Sequence, residues 1–210
     1  MNKIKFGIAT ILLAGFGLQS CIDHEVIPAP TPTVELKCNF VGTINNTDIE
    51  FTQNVNGYFC DPSKAKIILP SPQWSSAVYY SEIMSAQSSI SVKIGLGSAT
   101  WDAASVSDPT LTIFNDFFNN NLTPFFSNNG TTGFEFRYKD ASGRVWASKQ
   151  NSVNAQNAVF SNVSQESDVN GDYSKFTCAF NCYVYYQDQT TLLWDSLRVQ
   201  NATFKGWFKR

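Results

Sequence analysis

The chain has 210 residues and a formal net charge of −2, with 43% hydrophobic and 15% charged residues. This length predicts one domain, and this composition can bury a sizeable core, unlike that of a disordered polyelectrolyte. The charge lacks the basic excess that nucleic-acid binding requires, so we expect no nucleic-acid partner. The 17 Phe, 8 Tyr, 5 Trp and 19 Asn suit strands and turns better than long helices.

The first 20 residues have the organisation of a signal peptide. Lys3 and Lys5 precede an uncharged run of 13 residues, 6–18. Such a run is too short to span a bilayer of about 30 Å but is typical of the apolar part of a signal peptide. The segment Leu-Gln-Ser-Cys at 18–21 then resembles the lipobox of bacterial lipoproteins. The resemblance implies that residues 1–20 are removed and that Cys21 becomes the lipidated first residue.

Residues 21–33 are predicted to form a tether between the lipid and the domain. Three prolines at alternate positions favour an extended spacer of about 3 Å per residue. Asp23 and Glu25 resemble the surface-export signal of Bacteroidota lipoproteins; the alternative is a solvated tether whose charges have no role. Two or three acyl chains would hold the mature protein on a membrane without crossing it. We therefore expect it in the bacterial cell envelope, on the outer membrane, facing the periplasm or the cell surface.

The remaining residues, 34–210, are predicted to form the folded domain. Most of this stretch alternates apolar and polar residues with the period of a β-strand. Strands are predicted over 34–44, 49–55, 64–69, 76–83, 88–96, 134–139, 144–149, 158–166, 176–186 and 197–208. Short turns and the absence of βαβ spacing predict an all-β fold, an antiparallel β-sandwich of about nine to ten strands.

One segment has helical spacing instead. Apolar residues at 111, 114, 117 and 118 follow Asp108-Pro109. This pattern predicts one short inserted helix of about three turns, with Asp108 as its N-cap, ending near residues 119–121.

A hairpin loop at 140–143 sets the register of the strands beside it. A three-residue loop with Gly143 in the left-handed conformation places Asp140 opposite Arg144. Counting back then pairs Tyr138 with Trp146 and directs Trp146 into the core. A four-residue loop would place Trp146 in solvent.

Two segments carry a wider resemblance. The segments GFEFRYKDASGRVW at 133–146 and NATFKGWF at 201–208 give the chain a layout similar to the small β-sandwich lipoproteins of Bacteroidota. They are strand and turn motifs. The resemblance therefore implies a fold and carries no catalytic residue.

Four cysteines remain for the domain once Cys21 is lipidated, and an even number in an exported domain predicts disulfides. Cys178 and Cys182 lie four apart on one predicted strand, so their Cα atoms would be about 13 Å apart. That is too far for a direct bond. The prediction is that Cys38 pairs with one of them and Cys60 with the other. A Cys₄ zinc site is the alternative, but it lacks paired C-x₂-C spacing.

The single histidine, His24, lies in the tether. A Ser–His–Asp or Cys–His triad in the domain and a His-based metal site are thereby excluded. No nucleotide-binding motif is present, and no cofactor or metal is predicted. The segment 168–172, Asp-Val-Asn-Gly-Asp, partly resembles a calcium loop but also makes a good hairpin turn, which is the interpretation we favour.

Carboxylates are the remaining candidates for catalysis. A glycosidase needs two that face each other across its substrate. In this sequence they fall mostly on outer strand faces and in turns, and alternation places Glu135 with Arg137 on a solvent face. The chain is therefore predicted not to be an enzyme. A glycan-active hydrolase using paired carboxylates is the alternative.

Aromatic residues suggest binding, because flat rings can stack on sugar faces. Trp74, Trp101 and Trp194 lie in or near predicted loops, and Tyr183 and Tyr185 fall on the outer face of their strand. These five are the predicted ligand-facing residues. The alternative is that some of them pack in the core.

The function predicted from the sequence is a non-catalytic, membrane-anchored envelope lipoprotein that acts as a binding or structural module. Its partner would be a glycan or an envelope protein. Asp195-Ser196-Leu197 resembles the Bacteroidota O-glycosylation motif, which implies Ser196 as a candidate modification site.

Overall fold

Strands with alternating buried and exposed residues make up most of the chain. The computed structural model describes residues 33–102 and 107–210. In these residues it has ten antiparallel strands and one short α-helix, which confirms the predicted all-β, sandwich-like fold. The predictions for the signal peptide, Cys21 and residues 22–32 of the tether lie outside the described residues.

The elements follow one another closely along the chain. They are β1 (Asn39–Ile44), β2 (Thr47–Thr52), β3 (Tyr58–Ile67), β4 (Trp74–Ser85), β5 (Ser91–Asp102), α1 (Leu111–Asn120), β6 (Phe134–Lys139), β7 (Val145–Ser148), β8 (Asn157–Asp168), β9 (Gly171–Gln187) and β10 (Trp194–Lys209).

The strands form one continuous sheet that folds over into two layers. Its order is β2-β1-β10-β9-β7-β6-β5-β4-β3. The remaining strand, β8, pairs with the same edge of β9 as β7 does, at a different position along that edge. The two ends of the sheet approach each other, since β2 contacts β3, and β10 packs against β3 and β4. Rings from distant strands meet between the layers: the Phe40 and Phe136 ring centroids are 5.8 Å apart, and those of Phe136 and Phe180 are 4.7 Å apart.

Strand β3 is longer than predicted. It begins at Tyr58 and contains Pro62, which would interrupt a central strand because proline has no N–H to donate. Since β3 is the last strand of the sheet, one of its edges has no partner strand and Pro62 is tolerated.

The predicted helix is present, but its N-cap is different. The side-chain oxygen of Thr110 accepts a hydrogen bond from the backbone N–H of Ile113 at 3.3 Å. Asp108, the predicted cap, instead binds the ammonium groups of Lys64 and Lys66 at 2.6 and 3.2 Å. Two neighbouring cations from β3 thus draw the carboxylate away from the helix end.

The predicted hairpin register is confirmed. Tyr138 pairs with Trp146, the Asp140 backbone N–H donates to the Arg144 carbonyl, and Gly143 has a φ of 80°. Trp146 is buried in the core. The local turn chemistry alone was therefore sufficient to place this side chain.

Candidate binding groove

An open groove of about 740 Å³ lies over β6, β7, β9 and β10. Its lining combines aromatic rings, amides and two charged groups. The residues are Asn128, Asn129, Glu135, Val145, Ala147, Ser148, Lys149, Tyr185, Tyr186, Gln187, Gln189 and Trp194. We call this feature the Lys149–Trp194 groove.

Strand pairing brings most of these side chains to one face. Tyr185 pairs with Ala147 of β7 on one side and with Ser196 of β10 on the other, while Trp194 pairs with Gln187. Paired residues project to the same side of a sheet, as do residues two apart on a strand. Tyr185, Gln187 and Trp194 therefore share the outer face.

Lys149 lies between two rings of the groove. Its ammonium is 3.0 Å from the centroid of the Trp194 ring and 4.7 Å from that of Tyr185. Such contacts between a cation and an aromatic face are attractive. The Tyr185 hydroxyl is held in turn by Ser152 Oγ at 2.9 Å and by the side-chain amide of Asn154 at 3.3 Å. The rings are thus positioned by their surroundings.

Glu135 lines the groove but is buried, so the prediction that it lies on a solvent face is wrong. The Glu135 side chain lies on the outer face of β6, but the 3-10 turn Asn128–Gly130 covers this side chain, so the residue is only 2% exposed. The carboxylate accepts hydrogen bonds from the Asn129 backbone N–H at 3.0 Å and from Arg137 Nε at 2.8 Å. Burial raises the pKa of Glu135, although the Arg137 ion pair and the Asn129 N–H act in the opposite direction.

Four of the five predicted ligand-facing aromatics fall into three groups. Trp194, 56% exposed, and Tyr185 line the groove. Tyr183 lines a neighbouring depression of about 400 Å³ with Arg198. Trp74 is 65% exposed but does not line the groove.

The prediction for Trp101 is wrong. This residue is 1% exposed, because it lies near the end of β5, a strand that extends beyond the predicted Leu96 and carries the ring into the core. It is therefore not available to a ligand.

Ser196 is exposed on the outer face of β10, next to Tyr185. The Asp195 carboxylate accepts a hydrogen bond from the Ser196 backbone N–H at 2.7 Å. The Ser196 hydroxyl, to which an O-linked sugar would be attached, is thus on the surface beside the groove. Its glycosylation stays a prediction.

The cysteine pairing expected from the sequence is not found. Cys38, Cys60, Cys178 and Cys182 are all free thiols, which agrees with the prediction that the last two are not bonded to each other. The Cys60 thiol lies 3.4 Å from the Ser81 hydroxyl, and the Cys38 thiol is close enough to contribute to the raised pKa of Cys60, although the prediction had separated these two cysteines. The predicted pairing of Cys38 and Cys60 with Cys178 and Cys182 is wrong because it assumed, from the even number of cysteines, that all four are bonded.

The segment 168–172 is a hairpin turn between β8 and β9, as favoured. Asp168 pairs with Gly171, and its carboxylate accepts hydrogen bonds from the backbone N–H groups of Asn170 and Val34. In residues 33–102 and 107–210, no three His, Cys, Asp or Glu side chains cluster in a way that could hold a metal ion. Within the same residues, no helix has the length and apolar character needed to cross a membrane.

The sequence did not identify Lys149 or Glu135 as residues that line the groove. Lys149 follows directly after β7, two residues beyond the outward-facing Ala147, so alternation could have placed it outward. Its position against Tyr185 and Trp194 depends on β7 pairing with β9, which joins segments far apart in the sequence. No local pattern indicates that pairing.

The groove offers stacking surfaces, amides and one cation to a ligand. Glu135 is the one carboxylate among the described residues that line it, and Arg137 already binds this group. The arrangement suits recognition of a polar molecule with flat apolar faces better than acid–base chemistry by two carboxylates.

Comparisons with known proteins add no relative. No protein-family model matches the chain, and no curated protein or solved structure matches it either.

Proposed function

We propose that this chain is a non-catalytic, membrane-anchored envelope lipoprotein whose β-sandwich binds a glycan in the Lys149–Trp194 groove. The observation that carries the proposal is the exposed Trp194 ring, which faces the groove together with Tyr185. A large aromatic side chain kept in water forgoes the free energy of burial, and clustered exposed apolar surface commonly marks a binding site.

The polar lining complements a carbohydrate. Asn128, Gln187 and Gln189 each offer amide donors and acceptors, which can pair with sugar hydroxyls. The rings can stack on the C–H face of a pyranose at the same time. Few fixed polar groups around an apolar floor are typical of ligand pockets in this size range.

Lys149 favours a ligand that carries an acidic group. Its ammonium contacts two neutral rings, whereas the carboxylate of Glu135 is held by Arg137. A ligand carboxylate or sulfate could pair with Lys149 directly, and a charge-assisted hydrogen bond is about twice as strong as a neutral one. Acidic glycans should therefore bind more tightly than their neutral counterparts.

The lipid anchor is supported by the sequence alone. The signal-like residues 1–20 and the lipobox-like segment ending at Cys21 imply attachment to the outer membrane. A groove on a tethered domain would hold a glycan or a glycan-bearing envelope partner close to that membrane.

A hydrolase using paired carboxylates is the competing function. It requires two carboxyl groups about 5 to 9.5 Å apart on either side of a scissile bond. Among the described residues that line the groove there is one carboxylate, and its ion pair with Arg137 favours binding over hydrolysis.

A glycan array tests the proposal. The lipidated protein, purified in detergent, would be screened on neutral and acidic glycans beside Trp194→Ala and, as a matched control, Trp74→Ala. Both substitutions remove an exposed Trp, but only the first removes one from the groove. We expect a reproducible set of acidic glycans that Trp74→Ala retains and Trp194→Ala loses. No binding by wild type, or equal loss in both variants, would rule out this site.

A further inference from the structure

Two cysteines lie side by side near the place where the two ends of the sheet approach each other. Cys38 directly precedes β1, and Cys60 lies on the edge strand β3. Cys38 directly precedes Asn39, which pairs with Lys205 of β10, and the next residue of that strand, Gly206, lies against the hydroxyl of Ser81. Cys38 is buried, whereas Cys60 is partly buried and lies 3.4 Å from the hydroxyl of Ser81.

The backbone around these cysteines fixes their approach. The Cys38 carbonyl accepts a hydrogen bond from the Gln53 backbone N–H at 3.2 Å, and the Cys38 N–H donates to Gln53 Oε1 at 2.9 Å. Across the following turn, the Asn54 N–H donates to the Tyr58 carbonyl at 2.8 Å. The Phe51 and Tyr58 rings stack with centroids 4.5 Å apart. The starts of β1 and β3 are thus held together by several independent contacts.

The other two cysteines have no such arrangement. Cys178 and Cys182 are both buried on the inner face of β9, four residues apart. An extended strand separates their Cα atoms by about 13 Å, twice the span of a disulfide. Burial raises the pKa of both thiols, as it does that of Cys60, so the distance between Cys178 and Cys182 is what excludes a bond between them.

We propose that Cys38 and Cys60 form a disulfide when the chain meets an oxidant that itself carries a disulfide. One thiolate attacks the oxidant and forms a mixed disulfide, and the second thiolate then displaces the remaining half. The two cysteine thiols lose two protons and two electrons, and the oxidant's disulfide becomes two thiols. The proposal does not depend on the groove or its ligand.

The bond would join the start of the domain to the far edge of the sheet. It would close a loop of about 22 residues and so restrict the unfolded chain. Burial, followed by the neighbouring Cys38 thiol, raises the pKa of Cys60, so the reaction with a small-molecule disulfide should be slow at neutral pH.

The sequence gives a direct assay. Trypsin cuts after Lys37 and Lys64, so one peptide, 38–64, contains both Cys38 and Cys60; a second peptide, 176–198, contains both other cysteines. A disulfide between Cys38 and Cys60 removes two hydrogens from the first peptide without linking it to another. The pairing expected from the sequence would instead cross-link the two peptides.

The 210-residue chain would be incubated with oxidised glutathione, denatured in the presence of N-ethylmaleimide and digested without reductant. We expect peptide 38–64 to be lighter by two hydrogens and unlabelled, and peptide 176–198 to carry two labels. Cys21 lies in a third peptide, 6–37, and does not enter the comparison. A cross-link between peptides 38–64 and 176–198, a lasting glutathione adduct on 38–64, or labels on both thiols of 38–64 would overturn the proposal.

Paired variants give a second measurement. Oxidation should raise the thermal midpoint of Cys182→Ser by about 5 to 10 °C and leave that of Cys60→Ser unchanged. Each variant is compared with its own reduced form, so a loss of core packing does not affect the result. An equal rise in both variants would show that the bond was assigned to the wrong cysteines.

Discussion

At the scale of single residues, Asp140 organises the hairpin between β6 and β7. One carboxylate oxygen accepts hydrogen bonds from the backbone N–H groups of Ser142 and Arg144, and the other from Arg144 Nε and Trp146 Nε1. Burial alone would raise the pKa of Asp140, but the bonds from Trp146 and Arg144 outweigh it and hold the pKa below its ordinary value of 3.8. The carboxylate form is therefore the one that stabilises the turn.

This predicts a pH-dependent contribution to stability. Because the folded-state pKa is depressed, the contribution is present above the unfolded pKa of about 3.8 and is lost as the pH falls through the folded value. Urea unfolding of wild type and Asp140→Asn between pH 3 and 7 measures it. The stability advantage of wild type should shrink on acidification; an advantage that stays constant across this range would contradict the assignment.

In this hairpin, substitution of Trp146 is expected to cause the largest loss of unfolding free energy. Trp146→Ala removes a buried indole and leaves Asp140 without one donor, so it should cost about 3 kcal/mol or more of unfolding free energy. Trp74→Ala removes an exposed indole and should cost less than about 1 kcal/mol. Denaturant unfolding compares them, and similar losses would contradict the packing described.

At the scale of elements, the N-cap of α1 is Thr110 and not Asp108, the residue that the sequence predicted. Thr110→Ala removes the side-chain acceptor for the Ile113 N–H and should cost about 1 kcal/mol. Asp108→Ala removes ion pairs that are about one-third exposed, and such pairs contribute little. Chemical denaturation of both variants should show the larger loss for Thr110→Ala, and the reverse order would restore Asp108 as the cap.

The elements that the sequence predicted well are those with local causes. The register that buries Trp146 follows from the turn at Gly143, and the inner face of β9 follows from alternation. The missed features depend on what packs over a strand. The turn Asn128–Gly130 folds back over Glu135, and the pairing of β7 with β9 brings Lys149 to Trp194. Alternation predicts which way a side chain points but not what covers it.

At the scale of the whole molecule, the proposed membrane attachment depends on Cys21. Cys21→Ala should abolish metabolic palmitate labelling and leave an unprocessed or soluble protein, because the acylated thiol is the proposed anchor. Labelling with palmitate in cells that express either form measures this. Equal labelling of wild type and Cys21→Ala would end the lipoprotein interpretation.

Glycan affinity tests the central claim most directly. Isothermal titration of the full chain with an acidic oligosaccharide would compare wild type, Tyr185→Ala and Tyr183→Ala, which remove neighbouring outward rings of one strand. The account predicts that Tyr185→Ala weakens binding at least about tenfold while Tyr183→Ala stays within about twofold of wild type. Equal effects of the two substitutions, or the larger effect at Tyr183, would contradict the assignment of the Lys149–Trp194 groove as the binding site.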